Sequence, residues 1–466
     1  MRKGVLLLPL VLLAACIKAP PHVRPELATP PTYPLASDSA VANGVRAIDI
    51  GWRDFFQDPR LDRLIATALE NNRDLRVSVA QIEVARGFYR IQDADRLPTV
   101  GANASATRSH AGDAASGVPG GTTGNRLNIG VGVSAFELDF WGRVRNLSEA
   151  ARSEFLASVQ AQRAFRLSLI RDVASTYLSS IEAGEQIRLA DATVQSRREG
   201  VRIAQVRRVS GVTSALDFHQ AESLLSQAEA ALAGFRLTQE RVNNRLFVIV
   251  GGPVPQPLPD PLLITQQTNP ILLAPGLPSG LLLSRPDVIG AEERLRAAEA
   301  SIGAARAAFF PNISLTGALG FASSALSTLV GSDGLTWSFG PSITAPIFNR
   351  GRLSGNMTVA RARQTIAIAD YERTVQVAFQ EVSNALAGRR YLAEQVAAQE
   401  RGTVAQRQIA ALARTRYQEG VVSYIEVLDA ERNLFVSEQT LLQLRRSEAD
   451  NLVALYIALG GGVIDR

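Results

Sequence analysis

The sequence of 466 residues contains one cysteine, so no disulfide can form within the chain. Histidine occurs only three times, at His22, His110 and His219. The chain also lacks a phosphate-binding loop, a nucleophile elbow and any metal-ligand spacing. The sequence therefore predicts no enzymatic activity, no cofactor and no metal site, and His219 is interpreted as a surface residue.

An excess of one charge is lacking as well. Arginine and lysine total 49 and aspartate and glutamate total 44, which gives a formal charge of +5. Loss of Arg2 and Lys3 with a leader would lower this value to +3. The arginines are dispersed among the acids instead of forming one basic face, so we expect no nucleic-acid binding.

Long apolar runs are absent, and the longest one stands near the start. "GVLLLPLVLLAA" follows the charged residues Arg2 and Lys3, and it is too short to span a bilayer as a helix. It ends directly before Cys16, which is the pattern of a bacterial lipoprotein signal. We expect residues 1–15 to be a signal peptide and Cys16 to carry lipid, and Ile17 instead of aspartate favours the outer membrane. The alternative is an ordinary signal peptide with an incidental cysteine.

Proline is missing from residues 120–252 and 347–466 and is concentrated on either side of the first gap. Because proline breaks helix interiors, these two gaps can hold very long helices, predicted at 143–210 and 352–419 and roughly 100 Å long each. Further helices are predicted at 73–96, 215–250, 286–310 and 424–459. The proline-rich parts are interpreted as a tether over 16–50 and a linker over 253–284.

Four segments alternate apolar with small or polar residues instead of following a helical period. They are residues 99–107, 127–140, 312–321 and 335–348. Segments of about ten residues with this alternation and an aromatic near one end are typical of transmembrane β-strands. A soluble pair of β-hairpins is the alternative.

The chain is a tandem duplication, with one repeat over 51–252 and the other over 285–466. At an offset of 209 positions Gly211 aligns with Gly420 and Asp217 with Glu426. Each repeat contains a helix, two strands, a very long helix, a glycine turn and a shorter helix. Four strands cannot close by themselves in lipid, so two, three or four copies of the chain would have to complete a barrel. A periplasmic structural lipoprotein without a pore is the competing interpretation.

Several motifs give the chain a close resemblance to a known family. They are "WRDFFQDPRLDRLIATALENNRDL", "LDFWGR", "PIFNRGR" and "RYQEGVVSYIEVLDAER". With them, nearly the whole mature chain resembles the TolC and OprM family of outer-membrane efflux proteins, especially the NodT-like lipoproteins that serve RND-type pumps.

The resemblance implies a mainly α protein with membrane β-structure. It implies a homotrimer whose twelve-stranded barrel takes four strands per protomer and continues into a long periplasmic α-helical barrel. It further implies an exit duct for drugs or other small toxic compounds, with a periplasmic adaptor protein and an inner-membrane RND pump as partners. A duct for type I protein secretion is the alternative within the family, and the sequence does not name the exported compound.

The glycine turns at 209–215 and 418–424 would then be the tips at the closed periplasmic end. Glu426 and Asp429 are three residues apart and so share one helix face, with Arg432 one turn further on. The resemblance implies gate positions at Tyr417, Ile425, Glu426, Asp429 and Arg432, with Arg208 and Asp217 as counterparts in the first repeat. It implies adaptor contacts at Gly211, Val212, Gly420 and Val421. A solvated charged helix face is the alternative for these charges.

Overall fold

A computed structural model describes residues 19–26, 29–34, 44–254, 256–267, 272–274, 276, 280 and 284–464. The predicted signal peptide and the lipidation site at Cys16 lie outside the described residues. Parts of the predicted tether and linker lie outside them too.

The described residues form nine helices and six strands, apart from short 3₁₀ turns. The helices are α1 (Trp52–Phe55), α2 (Pro59–Asn71), α3 (Arg73–Ala94), α4 (Asp113–Ser116), α5 (Arg143–Val209), α6 (Ala215–Val250), α7 (Pro286–Ala307), α8 (Arg352–Gln418) and α9 (Tyr424–Ala458). The strands are β1 (Val45–Arg46), β2 (Val100–Ala111), β3 (Thr122–Glu137), β4 (Leu273–Ala274), β5 (Asn312–Ser323) and β6 (Leu335–Thr344).

The two long helices, α5 and α8, contain 67 residues each. The strands differ more from their predicted bounds. β2 and β3 pair as far as Ala111 with Thr122, where the residues are polar and no longer alternate. β6 ends at Thr344, before Pro346, which has no backbone N–H to continue a ladder.

One compact unit, here called the sheet unit, consists of the described parts of Met1–Glu26, Gln81–Val159 and Gly290–Tyr371. Its strands pair antiparallel in the order β2, β3, β5, β6. Each repeat supplies one hairpin, and the hairpins join through β3 and β5. A bulge interrupts the ladder between Val133 and Phe136.

The outer strands of this sheet, β2 and β6, pair along one edge only within the described residues. Every residue of β6 is exposed, including Trp337 and Phe339. Because these apolar side chains do not pack into a core, a single chain exposes an apolar surface along β6.

The passage from β3 into α5 is fixed by two acids of the "ELDFWGR" segment. The Arg143 guanidinium donates to the Glu137 carboxylate at 2.9 and 2.5 Å. The Asp139 carboxylate accepts from the backbone N–H groups of Val144 at 3.1 Å and Arg145 at 2.7 Å, which caps the helix. The motif therefore starts the long helix at the end of the strand.

Residues 19–26, here called the N-terminal strap, lie against α7 in the sheet unit. His22 lies with its Nδ1 2.9 Å from Glu299 Oε2 and its Nε2 3.2 Å from Glu292 Oε1, and Arg24 donates to Glu292 at 2.8 Å. Both glutamates are buried, so the strap supplies partners for carboxylates that are largely removed from water.

The second compact unit, the hairpin unit, consists of the described parts of Leu27–Ala80, Gln160–Ile289 and Glu372–Arg466. Its main core contains large side chains such as Trp52, Ile65, Ile170, Tyr177, Leu455 and Tyr456. Phe55 stacks on Tyr456 with 3.9 Å between ring centroids. The "WRDFFQDPRL" segment therefore builds this core.

Asp58 connects the core to its neighbouring loops. Its carboxylate caps α2 by accepting from the backbone N–H groups of Arg60 at 2.8 Å and Leu61 at 3.4 Å. The other oxygen accepts from the Tyr177 hydroxyl and the Gln267 amide, both at 2.6 Å. Since Asp58 is only 1% exposed, these four bonds replace its water shell.

Small residues let the helices of this unit approach closely. The Asn451 amide of α9 donates to the Ala385 carbonyl of α8 at 2.9 Å, and a methyl group at Gly388 would overlap the Asn451 side chain. Among the described residues, no helix is both long enough and apolar enough to cross a membrane.

Candidate functional site at the hairpin tips

The hairpin between α5 and α6, here called the first tip, ends in a left-handed glycine turn. Gly211 has φ +73°, its N–H donates to the Arg208 carbonyl at 3.0 Å, and the Val212 N–H donates to the Arg207 carbonyl at 2.9 Å. These are the two bonds of a Schellman motif, which satisfies carbonyls at the helix end.

The hairpin between α8 and α9, the second tip, repeats this turn bond for bond. Gly420 has φ +76°, its N–H donates to the Tyr417 carbonyl at 3.0 Å, and the Val421 N–H donates to the Arg416 carbonyl at 2.9 Å. The aligned glycines thus have one backbone role, and a non-glycine residue there is strained.

Apolar side chains stand uncovered at both tips. Val212 is 65% exposed and Val421 is 66% exposed. Val209 and Leu216 are similarly exposed at the first tip. The predicted adaptor-contact positions therefore lie at the surface of each turn.

The aligned acids Asp217 and Glu426 have different partners. Asp217 accepts from the Thr213 hydroxyl at 2.6 Å and from the Ser214 N–H at 3.3 Å, while Ser214 Oγ accepts from the Asp217 N–H at 3.2 Å. This reciprocal pair is a capping box for α6. The hydrogen bond from Thr213, followed by those from Ser214, holds the pKa of Asp217 below its ordinary value.

Glu426 forms no such cap. Its carboxylate pairs with Arg416 across the second tip at 3.1 Å, and Ser423 makes no side-chain capping bond. Asp217 caps its helix in the first tip. Glu426, at the aligned position in the second tip, instead joins α9 to α8 through Arg416.

Two further ion pairs involve residues of α9. Arg432 pairs with Asp429 at 2.8 Å, with both side chains about half exposed. Arg414 of α8 pairs with Glu431 at 2.5 Å. Exposed ion pairs contribute about 0–1 kcal/mol each to folding stability. The main effect of these charges is therefore on the local electrostatic potential.

The remaining predicted gate positions are divided between the tips. Ile425 is 46% exposed beside Glu426 on α9. Arg208 lies over the Phe218 ring at 4.9 Å in the first tip. The structure therefore brings Tyr417, Glu426, Asp429 and Arg432 to the second tip but not Arg208 or Asp217.

An aromatic cluster joins the two hairpins. The Arg207 guanidinium lies 4.7 Å from the Tyr417 ring centroid, and the Tyr417 and Tyr424 centroids are 4.9 Å apart. The Tyr424 hydroxyl reaches Gly200 on α5. Burial, the largest cause, raises the pKa of Tyr424 to about 12, so its hydroxyl stays protonated at physiological pH.

Sequence reasoning did not find Gly200, Arg207 or Tyr424. One signal was present, because Gly200 and Arg207 are seven residues apart and therefore on one face of α5, two turns from each other. Whether Arg207 or Arg208 faces Tyr417 depends on the rotation of α5 about its own axis.

The described residues contain no group of three or more histidine, cysteine, aspartate or glutamate side chains placed to hold a metal ion. The tips instead offer exposed apolar turns, paired charges and an aromatic cluster.

The sequence model of the family described as "Outer membrane efflux protein" matches residues 64–252 and 277–461. The first matched segment lies in the first repeat, and most of the second lies in the second repeat.

Two curated proteins are similar over nearly their whole length. The cation efflux system protein CusC of Escherichia coli (strain CFT073) is 39% identical over 454 residues, which cover 97% of this chain and 96% of CusC. The toluene efflux pump outer membrane protein TtgI of Pseudomonas putida is 38% identical over 465 residues, which cover 99% and 98% of the two chains.

A solved structure agrees with them. The open state of the Neisseria gonorrhoeae MtrE outer membrane channel superimposes with a TM-score of 0.88 at 38% identity, covering 97% of this chain and 99% of MtrE. The predicted fold class, mainly helical with four membrane-type strands per chain, is confirmed.

Proposed function

Because this chain belongs to the outer membrane efflux protein family, we propose that it is the exit duct of an RND-type efflux system in the outer membrane. The family confirms the resemblance found in the sequence and the prediction that the chain is a transport protein and not an enzyme. The observation that carries the proposal is the match of the family to both repeats, together with relatives aligned from end to end.

The duct requires more than one copy of the chain. Within the described residues, β2 and β6 each leave one edge unpaired, and unpaired backbone groups are not viable in lipid. We propose that three copies join these edges into a barrel of twelve strands. The apolar face of β6, including Trp337 and Phe339, would then meet lipid or a neighbouring protomer.

The two tips are the proposed docking points for a periplasmic adaptor, which an inner-membrane RND pump accompanies. The exposed apolar turns at Val212 and Val421 support this role, since such residues gain most from being covered by a partner. We further propose that a lipid on Cys16 anchors the chain in the membrane, because a lipoprotein signal precedes this residue.

The cargo is proposed to be selected by the pump and not by the duct. CusC is named for cations and TtgI for toluene, yet both are about equally similar to this chain. The carboxylates of Glu426 and Asp429 at the second tip would favour cations in a narrow lumen, but their ion pairs with arginine reduce that preference.

The gate is proposed to lie at the second tip, where Tyr417 and Asp429 hold the closed state. Replacing both residues, as Asp429→Ala with Tyr417→Phe, removes the carboxylate that pairs with Arg432 and the tyrosine hydroxyl. We expect a higher single-channel conductance in planar bilayers. Glu229→Ala, which breaks an exposed pair with Arg198 on the other hairpin, is the matched control.

Unchanged conductance in the double variant would remove Tyr417 and Asp429 from the gate. Absence of any pore in the unmodified purified protein would contradict the proposed function itself.

A further inference from the structure

We propose that Tyr424 and Gly200 form a latch that keeps the two hairpins of one protomer together near their tips. The inference rests on the proposed function and adds two positioning residues to its gate. Its basis is the close approach of a side chain from the second repeat to a bare backbone position in the first.

The contact leaves no room for a side chain at position 200. A methyl group built on Gly200 would lie 2.6 Å from the Tyr424 hydroxyl oxygen, a distance that Cβ atoms do not tolerate. The next nearest atom, Tyr424 Cζ, would lie at 3.9 Å, an ordinary van der Waals contact. The hydroxyl alone therefore fills the space that glycine leaves open.

The latch belongs to a connected set of contacts. Tyr424 packs on Tyr417 with 4.9 Å between ring centroids, and Arg207 lies 4.7 Å from the Tyr417 centroid. Since Gly200 and Arg207 lie two turns apart on the same face, α5 contacts the second tip at two levels.

The two levels differ in how much movement they permit. An arginine side chain has several rotatable bonds, so Arg207 can follow a moving Tyr417 ring. The Gly200 contact is made by the end of a tyrosine side chain, which turns about two bonds only and so can follow a moving backbone less far. Displacing the second hairpin from α5 must therefore withdraw Tyr424 from Gly200, whereas it can leave the arginine contact in place.

Two other contacts between the hairpins near the tips are less restrictive. Arg414 donates to Ser196 at 3.4 Å, and the Arg197 guanidinium lies 5.3 Å from the Phe435 centroid. The first is long for a hydrogen bond and the second is non-directional. Neither contact requires a glycine at a particular position, whereas the contact of Tyr424 with α5 requires Gly200.

The test uses the full-length protein in planar bilayers. Gly200→Ala places a methyl group against the Tyr424 hydroxyl, so we expect Tyr424 to be displaced and the conductance in the absence of partner proteins to rise several-fold. Adding Tyr424→Phe removes the clashing oxygen, and we expect this second change to restore low conductance. Such rescue would not follow from a general loss of folding.

Gly402→Ala is the matched control. Gly402 is also inside a long helix, but a methyl group there meets nothing within 4 Å. Both alanine substitutions raise helix propensity by about 1 kcal/mol, so only the contact with Tyr424 distinguishes them. We expect Gly402→Ala to conduct like the unmodified protein.

The latch is overturned if Gly200→Ala conducts like Gly402→Ala, or if Tyr424→Phe fails to rescue Gly200→Ala. Failure of the proposed function gives a different result, because then the unmodified protein and the Gly402→Ala control form no pores.

Discussion

At the scale of single residues, aligned positions of the two repeats form different interactions. Asp217 completes a capping box, whereas Glu426 at the matching position pairs with Arg416 across its tip. The substitution of aspartate by the longer glutamate suits this change, because the longer side chain reaches beyond its own helix end. The duplicated unit therefore kept its backbone and diverged in side-chain partners.

Residue partners were the part of the site that sequence could predict least. The resemblance pointed to Tyr417 and Asp429 at the second tip, and the structure places both there. It also pointed to Arg208, but its neighbour Arg207 lies over Tyr417. Adjacent residues point about 100° apart around a helix, so helix rotation decides between them, and no one-dimensional pattern records that rotation.

The partners of Glu292 give a pH-dependent prediction at this scale. Burial raises its pKa, but Arg24, Arg296 and His22 outweigh burial and hold the pKa below its ordinary value. A lowered carboxylate pKa stabilises the native state above the ordinary value near pH ~4.3 and loses that stabilisation as pH falls through the native value.

We therefore expect thermal stability of the unmodified protein in detergent to fall between pH 5 and pH 3 partly through Glu292. Glu292→Gln should lower stability at pH 7 by about 1–2 kcal/mol, since charged hydrogen bonds are lost from a site whose arginines are half exposed. Its pH dependence should be shallower.

Melting curves of Glu83→Gln provide the comparison, because Glu83 pairs with Arg86 in an exposed ion pair. Equal pH slopes for the unmodified protein and Glu292→Gln would show that the strap contributes nothing through this carboxylate.

At the scale of elements, turn and helix chemistry could be predicted well. The absence of proline between 120 and 252 and after 347 predicted two helices of nearly seventy residues, and the structure has two of 67. Strand ends were harder, because β2 continues through Arg108 and His110, where pairing persists after the apolar alternation stops. Backbone pairing, not side-chain pattern, sets those ends.

Gly420 provides the prediction at this scale. Its left-handed φ is required by the turn, while a side chain would meet open space. Gly420→Ala should weaken the turn by about 1–2 kcal/mol through backbone strain alone. Amide hydrogen exchange at residues 419–423 should then accelerate about 5- to 30-fold.

Gly420→Asn tests the cause, because asparagine tolerates left-handed conformations better than alanine. We expect its exchange to lie between those of the unmodified protein and Gly420→Ala. Equal exchange in all three proteins would mean that the glycine turn is not needed to hold the second tip.

At the scale of the whole molecule, the duplication explains why each chain supplies two hairpins of strand and two of helix. One chain alone leaves the outer edges of β2 and β6 unpaired and the apolar residues of β6 uncovered. Composition and period predicted these four strands, but the number of copies came only from resemblance. The number of subunits depends on strand tilt and stagger around a closed barrel, which one sequence does not encode in any local pattern.

The mass of the purified complex tests this account most directly. Native mass spectrometry of the detergent-extracted protein should give one species that contains three chains. The full sequence has a mass of 50.0 kDa, and the mass of each chain should equal this value minus the leader and plus the lipid. A stable monomer would contradict the account, because four strands from one chain cannot form a closed path through the membrane.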